Sequence, residues 1–183
     1  MSNTSILQKI LYRIDNDDKV SSSNIIEKFK SELQQHDVDM YNAWEDDEFN
    51  INANSFGGSN LLCLASRNGC AKVVELLIEK DANVNIRDNE GKAPLHYAVI
   101  ILGQNTWIAE RLLNKGAEIN IRDNEGKTPL DYAIFSERED VVKVLTEKTI
   151  LPDEEASLML SEHKAVIDSQ DQYENDFPYP LFF

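Results

Sequence analysis

The chain is 183 residues long and lacks most of what marks a membrane protein, a secreted scaffold or an enzyme. It has no apolar run of about 18 residues and no basic stretch leading into an apolar one, so neither a membrane span nor the general secretory route is expected. Its two cysteines, Cys63 and Cys70, stand seven apart with no second pair, and His36, His96 and His163 are scattered. That spacing excludes a zinc site and implies buried, reduced thiols in a reducing compartment, the cytosol. Glycine is scarce, with 7 residues, and neither Gly57-Gly58 nor any other has phosphate-loop spacing. No Ser, Cys or Lys nucleophile stands beside a base in a recognisable motif, so no catalytic residue, cofactor or metal is expected.

Basic residues are also few: 18 Lys and Arg face 33 Asp and Glu, for a formal net charge of −15. Residues 1–54 hold 11 acids and 5 bases, 55–150 hold 14 and 12, and 151–183 hold 8 and 1. A nearly neutral middle thus lies between two acidic arms. Such a field repels phosphate backbones and argues against nucleic-acid binding. It serves solubility, or it recruits a basic partner.

What the chain does have is a repeat. Asn-Ile-Arg-Asp-Asn-Glu-Gly-Lys occurs unchanged at Asn85–Lys92 and at Asn120–Lys127, an offset of 35. Ala93-Pro94-Leu95-His96-Tyr97-Ala98 then aligns with Thr128-Pro129-Leu130-Asp131-Tyr132-Ala133. A fixed period of this size means stacked supersecondary units, not one closed globule. Asp88-Asn89-Glu90-Gly91 is turn chemistry. Pro94 and Pro129 suit a first helical turn, and Thr128 can cap its helix where Ala93 cannot. Unit two should hold one helix from Pro94 to about Leu102 and another from about Thr106 to Lys115, with Gly116 as a left-handed stop.

These residues resemble the ankyrin repeat, with its Gly-x-Thr-Pro-Leu-His-x-Ala start and its later Val-Val-x-Leu-Leu-Leu helix. The resemblance brings out a third copy, Ser55–Arg87, with Val73-Val74-Glu75-Leu76-Leu77-Ile78 as its second helix. That unit has Asn60-Leu61 in place of Thr-Pro and Asp81 in place of the stop glycine. The third unit has Glu137 in place of the mid-repeat glycine. The resemblance implies an all-α ankyrin-repeat α-solenoid with short β-turn tips. Its expected divisions are an N-terminal capping helix (1–21), a degenerate ankyrin-like repeat (22–54), repeat 1 (55–87), repeat 2 with a two-residue insertion (88–122), a truncated repeat 3 (123–148), and a C-terminal capping helix with an acidic, aromatic tail (149–183). Ile6, Leu7, Ile10, Leu11 and Ile14 form the apolar stripe of the first helix, and Ile25, Ile26, Phe29 and Leu33 that of the degenerate repeat.

The resemblance also implies function through surface: non-catalytic recognition of a protein partner at the turn tips and along the concave face of the first helices. Carried over by position, the tips are Arg87, Asn89, Glu90, Lys92 and Arg122, Asn124, Glu125, Lys127. The concave positions include Ile100, Ile101 and Phe135. These three are apolar where solvent is expected, which marks an interaction patch unless the insertion turns the isoleucines into the core. His96 takes the loop-bonding place of the family's Thr-Pro-Leu-His, and Tyr97 and Tyr132 the inter-repeat packing place.

The tail ends Phe177-Pro178-Tyr179-Pro180-Leu181-Phe182-Phe183, so Phe182 and Phe183 are further candidate contacts, on a partner or in self-association. Leu151-Pro152-x-Glu154 followed by Met159-Leu160 faintly resembles the opening of an F-box. That gives an alternative, an adaptor presenting a bound target to the ubiquitin machinery. With 17 Asn and 16 Ile, the composition resembles that of ankyrin proteins of obligate intracellular bacteria. A cytoplasmic protein, or an effector exported into a host cell, is the corresponding expectation.

Overall fold

A computed structural model describes residues 3–101 and 106–148, and the regular elements among the described residues are all α-helices. They are α1 (Asn3–Asp15), α2 (Ile25–His36), α3 (Val38–Asp46), α4 (Leu61–Arg67), α5 (Ala71–Glu79), α6 (Pro94–Ala98), α7 (Trp107–Asn114), α8 (Pro129–Phe135) and α9 (Glu139–Lys148). The aromatic tail and the C-terminal capping helix expected over 149–183 lie outside the described residues.

Each unit starts its first helix with a different side chain doing the same job. In α8, Thr128 Oγ1 accepts from the Asp131 amide at 3.2 Å while Asp131 Oδ2 accepts from the Thr128 amide at 2.7 Å. This reciprocal cap, with Pro129 in the first turn, satisfies donors that a helix start otherwise leaves open. In α4, Asn60 Oδ1 accepts from the Cys63 amide at 2.9 Å, so the missing Thr-Pro pair costs that unit no cap. In α6 the Ala93 amide donates to His96 Nδ1 at 3.0 Å, half of the same arrangement.

α6 ends at Ala98, short of the expected Leu102. The Val99 amide still reaches Leu95 O, but the Ile100 amide reaches only Tyr97 O, three residues back, and the tightened turn stops the helix. Two non-glycine residues take left-handed backbone where other units place glycine. Asp81 has φ 59° against 87° for Gly116, and Glu137 has φ 53° against 68° for Gly69. That conformation costs a residue with a Cβ about 1–2 kcal/mol.

The first helices α4, α6 and α8 stack on one another in one layer, and α5 and α7 stack in the other. Leu62 and Leu95, at equivalent positions, are fully enclosed between units. Leu130, which aligns with Leu95, is only half-buried, because no unit beyond α8 and α9 covers it among the described residues.

At the other end α1 buries Leu7, Ile10, Leu11 and Ile14 and packs on both α2 and α5. Its last residue caps a helix far along the chain: Asp15 Oδ1 accepts from the Val73 amide at 3.0 Å. Lys72 Nζ adds a 2.6 Å bond to Asp17 O. Cys70, the residue that precedes α5, makes no side-chain cap of its own. Trp44 anchors the segment between α3 and repeat 1. It is fully buried, donates from Nε1 to Asn50 O at 3.0 Å, and meets the Phe49 and Phe56 rings at 5.4 and 5.5 Å.

Candidate protein-binding surface

The tips are built from the carboxylates at the head of each turn. Asp88 Oδ1 accepts from the Glu90 and Lys92 amides at 2.9 and 3.0 Å, and Asp123 Oδ1 from the Glu125 and Lys127 amides at 2.9 Å each. The other carboxylate oxygen takes a tyrosine hydroxyl from the first helix, Tyr97 to Asp88 at 2.5 Å and Tyr132 to Asp123 at 2.7 Å. Both tyrosines are buried, as expected for their position, and burial together with the neighbouring carboxylate raises both hydroxyl pKa values. Burial pulls Asp123 upward, but the Tyr132 hydroxyl and the Lys127 and Glu125 amides outweigh it and hold the carboxyl below the usual 3.8.

Several candidate tip residues bond the neighbouring repeat. Arg87 Nε donates to Gly91 O at 2.9 Å and Nη2 to Arg122 O at 2.5 Å. The Asn89 amide donates to Gly58 O, and the Asn124 amide to Glu90 O. Asn124 Nδ2 also reaches Asn89 O at 3.0 Å. Gly91 (φ 75°) is needed twice over, since a Cβ there would sit 2.3 Å from Asn124 Oδ1 and 2.8 Å from its amide nitrogen. The repeated octapeptide is therefore in large part a stacking device. Glu90, Arg122 and Glu125 are exposed, Lys127 pairs with Glu125 at 2.9 Å on the outer side, and Lys92, whose side chain is largely buried over the Tyr132 ring, pairs with Glu90 at 2.7 Å.

Phe135 is 50% exposed, while Ile100 and Ile101 are half-buried. Ile100 packs against the core, and the Ile101 carbonyl accepts from Arg138 Nη1. Arg138, itself buried, also pairs with Asp140. Along the equivalent first-helix positions Arg67, Ile100 and Phe135, exposure is thus greatest at α8. Phe182 and Phe183 lie outside the described residues.

His96 is fully enclosed and bridges two units. Its Nδ1 accepts from Ala93, so its Nε2–H faces Lys127 O, 3.1 Å away. The ring also meets Tyr132 edge-on. Burial, the largest effect, pushes its pKa below the ordinary 6.5 against the raising influence of Lys127 O and Asp123. Because the unfolded state binds the proton first, stability should be complete above pH 6.5 and fall as the pH drops below it. Denaturant melts between pH 7.5 and 5 should show the loss in the wild type and a flatter profile in His96→Gln.

The cysteines are buried apart from any nucleophilic setting. Burial raises the Cys63 thiol beyond the normal range and pushes Cys70 up to about 12. Among the described residues no cluster of three or more His, Cys, Asp or Glu fits a metal, and no helix is long and apolar enough to cross a membrane.

Two bonds that sequence reasoning missed tie the units at the outer turns. Asn52 Oδ1 accepts from the Asn83 amide at 2.9 Å, and Asn85 Oδ1 from the Glu118 amide at 2.7 Å. Asn52 and Asn85 stand 33 residues apart, one repeat length, and that spacing carried the signal.

The helix pairs, identical tips and inter-repeat bonds agree with the comparison of the sequence with known families. The model for ankyrin repeats in three copies matches residues 21–123 and 101–156, about three quarters of the chain. The chain belongs to the ankyrin repeat family. Its fold is the all-α ankyrin solenoid. An ankyrin repeat protein of Acanthamoeba polyphaga mimivirus is 47% identical over 51 residues, covering 27% of this chain and 12% of the relative. The chain thus matches only a small part of that longer protein, and the relative is viral, not bacterial.

Proposed function

We propose that this ankyrin protein is a non-catalytic recognition module that holds a protein partner against the first-helix face, with Phe135 as the central contact and the outer tip charges as its rim. The observation that carries the reading is the half-exposed Phe135 at a position held by Arg67 and Ile100 in the preceding units. A large aromatic half-exposed on a helix face is the residue type that dominates interface energetics. Glu90, Arg122, Glu125 and Lys127 supply the rim, and Lys92, largely buried, holds Glu90 in place. Arg87, Asn89 and Asn124 contribute by holding the tips in register, and Ile100 and Ile101 mainly by packing beneath the face.

Phe135→Asp should remove retention of the partner from a cytosolic extract while the unfolding free energy stays within about 0.5 kcal/mol. Unchanged retention would sink the assignment, and a large stability loss would place Phe135 in the core. Acting inside a host cell is the wider form of this reading, supported by the composition rich in Asn and Ile. The adaptor reading, through residues 151–160, predicts ubiquitin-ligase subunits recovered with the full chain and lost from one lacking residues 149–183.

A further inference from the structure

The bases of the N-terminal segment are gathered in one place. Residues 1–54 carry 5 bases and 11 acids. Four of those bases, Lys9, Arg13, Lys19 and Lys28, line a groove of about 1010 Å³, whereas Asp17 and Asp18 alone of the acids do so. The groove runs along α1, the turn after it and the first part of α2. Three of the other acids are engaged elsewhere: Asp15 caps α5, Glu27 pairs with Lys30, and Glu32 is buried behind the groove. Glu32 holds Arg13 at 2.6 Å and Lys28 at 3.5 Å, and Lys28 also meets Asp17 at 3.3 Å. Asp17 further accepts from the Lys19 amide at 3.0 Å. Lys9 and Lys19 are exposed, and neither side chain makes an ion pair among the described residues. Tyr12, 69% exposed, stands among these cations. Gln8 and Asn16, four residues to either side of it, add side-chain amides. Asn16 Nδ2 donates to Tyr12 O at 2.8 Å, which leaves Oδ1 to accept.

We propose that this groove binds a short, extended acidic segment of a partner protein. Lys9 and Lys19 meet its carboxylates, and Tyr12 packs on an apolar side chain between them. Charge complementarity selects the occupant. A long polyanion or an anionic lipid surface would meet the field of the whole chain, −15, and be repelled. A short segment seated among the bases meets mainly the local charge, since salt screens the rest. A lone phosphate would fill one corner of the groove and leave Tyr12 and the Gln8 amide unused. Side-chain amides that can bond a peptide main chain, beside cations that can pair with its side chains, suit a peptide. The groove lies at the other end of the stack from Phe135, so the two surfaces are separate.

The test is a nuclear magnetic resonance titration of the full chain with the synthetic peptide Glu-Asp-Phe-Glu-Asp-Glu. Amide signals of residues 8–19 should shift saturably, and the neutral analogue Gln-Asn-Phe-Gln-Asn-Gln should leave them in place. Raising the salt from about 50 to about 200 mM should weaken binding. Lys9→Glu with Lys19→Glu should raise the dissociation constant at least about tenfold, and Tyr12→Ala about threefold. Circular dichroism melts should be unchanged in both, because all three side chains are exposed. Equal binding by the double variant would overturn the proposal, as would the same shifts produced by inorganic phosphate alone. So would tighter binding by the chain carrying Asp171→Asn, Glu174→Gln and Asp176→Asn, which would assign the groove to this chain's own acidic end.

Discussion

Leu95→Ala should destabilise the protein by about 2–5 kcal/mol, because Leu95 is enclosed from both sides by neighbouring repeats and the site has little room to collapse. Repeats in a solenoid contact only their neighbours, so loss of the α6 core should also loosen α4 and α8. Leu130→Ala, identical in chemistry, should cost about half as much, since part of that side chain already meets solvent. Urea melts of the two variants side by side check this. Equal losses would show that burial by the following unit is not what distinguishes the positions.

Trp44→Ala should cost about 3–5 kcal/mol, on the scale of emptying a large aromatic site. The side chain joins α3 to Phe56 in repeat 1 while its Nε1–H holds Asn50 O, so a cavity results and Asn50 O is left with the Ala53 amide alone. Trp44→Phe keeps most of the volume and should cost only the hydrogen bond and some packing, about 1–2 kcal/mol. Tryptophan fluorescence cannot follow these variants cleanly, so circular dichroism melts are the measurement. A loss below 1 kcal/mol for Trp44→Ala would mean that residues 22–54 are loosely attached to the repeats.

The units themselves were legible because turn and cap chemistry is local: Asp88, Gly91, Pro94 and Thr128 each act on backbone within a few residues. The same locality hid the bonds that cross between units. Arg87 reads as a surface charge at an exposed tip, and only the stacked geometry shows its guanidinium reaching Arg122 O. Asp15 reads as the last polar residue of an amphipathic helix, and its partner amide lies 58 residues away. The concave face was legible as a column of positions but not as degrees of exposure. Whether Ile100 faces solvent depends on where α6 stops, which a single i−3 bond decides.

The attachment of α1 to α5 sets an order of events at the ribosome. α1 leaves the exit tunnel well before the helix it caps, with Leu7, Ile10, Leu11 and Ile14 only partly coverable by α2. At about 5–20 residues per second, the 58 residues between Asp15 and Val73 represent roughly 3–12 s of synthesis. During that interval the apolar stripe of α1 is open to holdase chaperones and to other nascent chains. The arrival of α5 therefore acts as a checkpoint: the acidic first segment is secured only once repeat 1 exists to receive it.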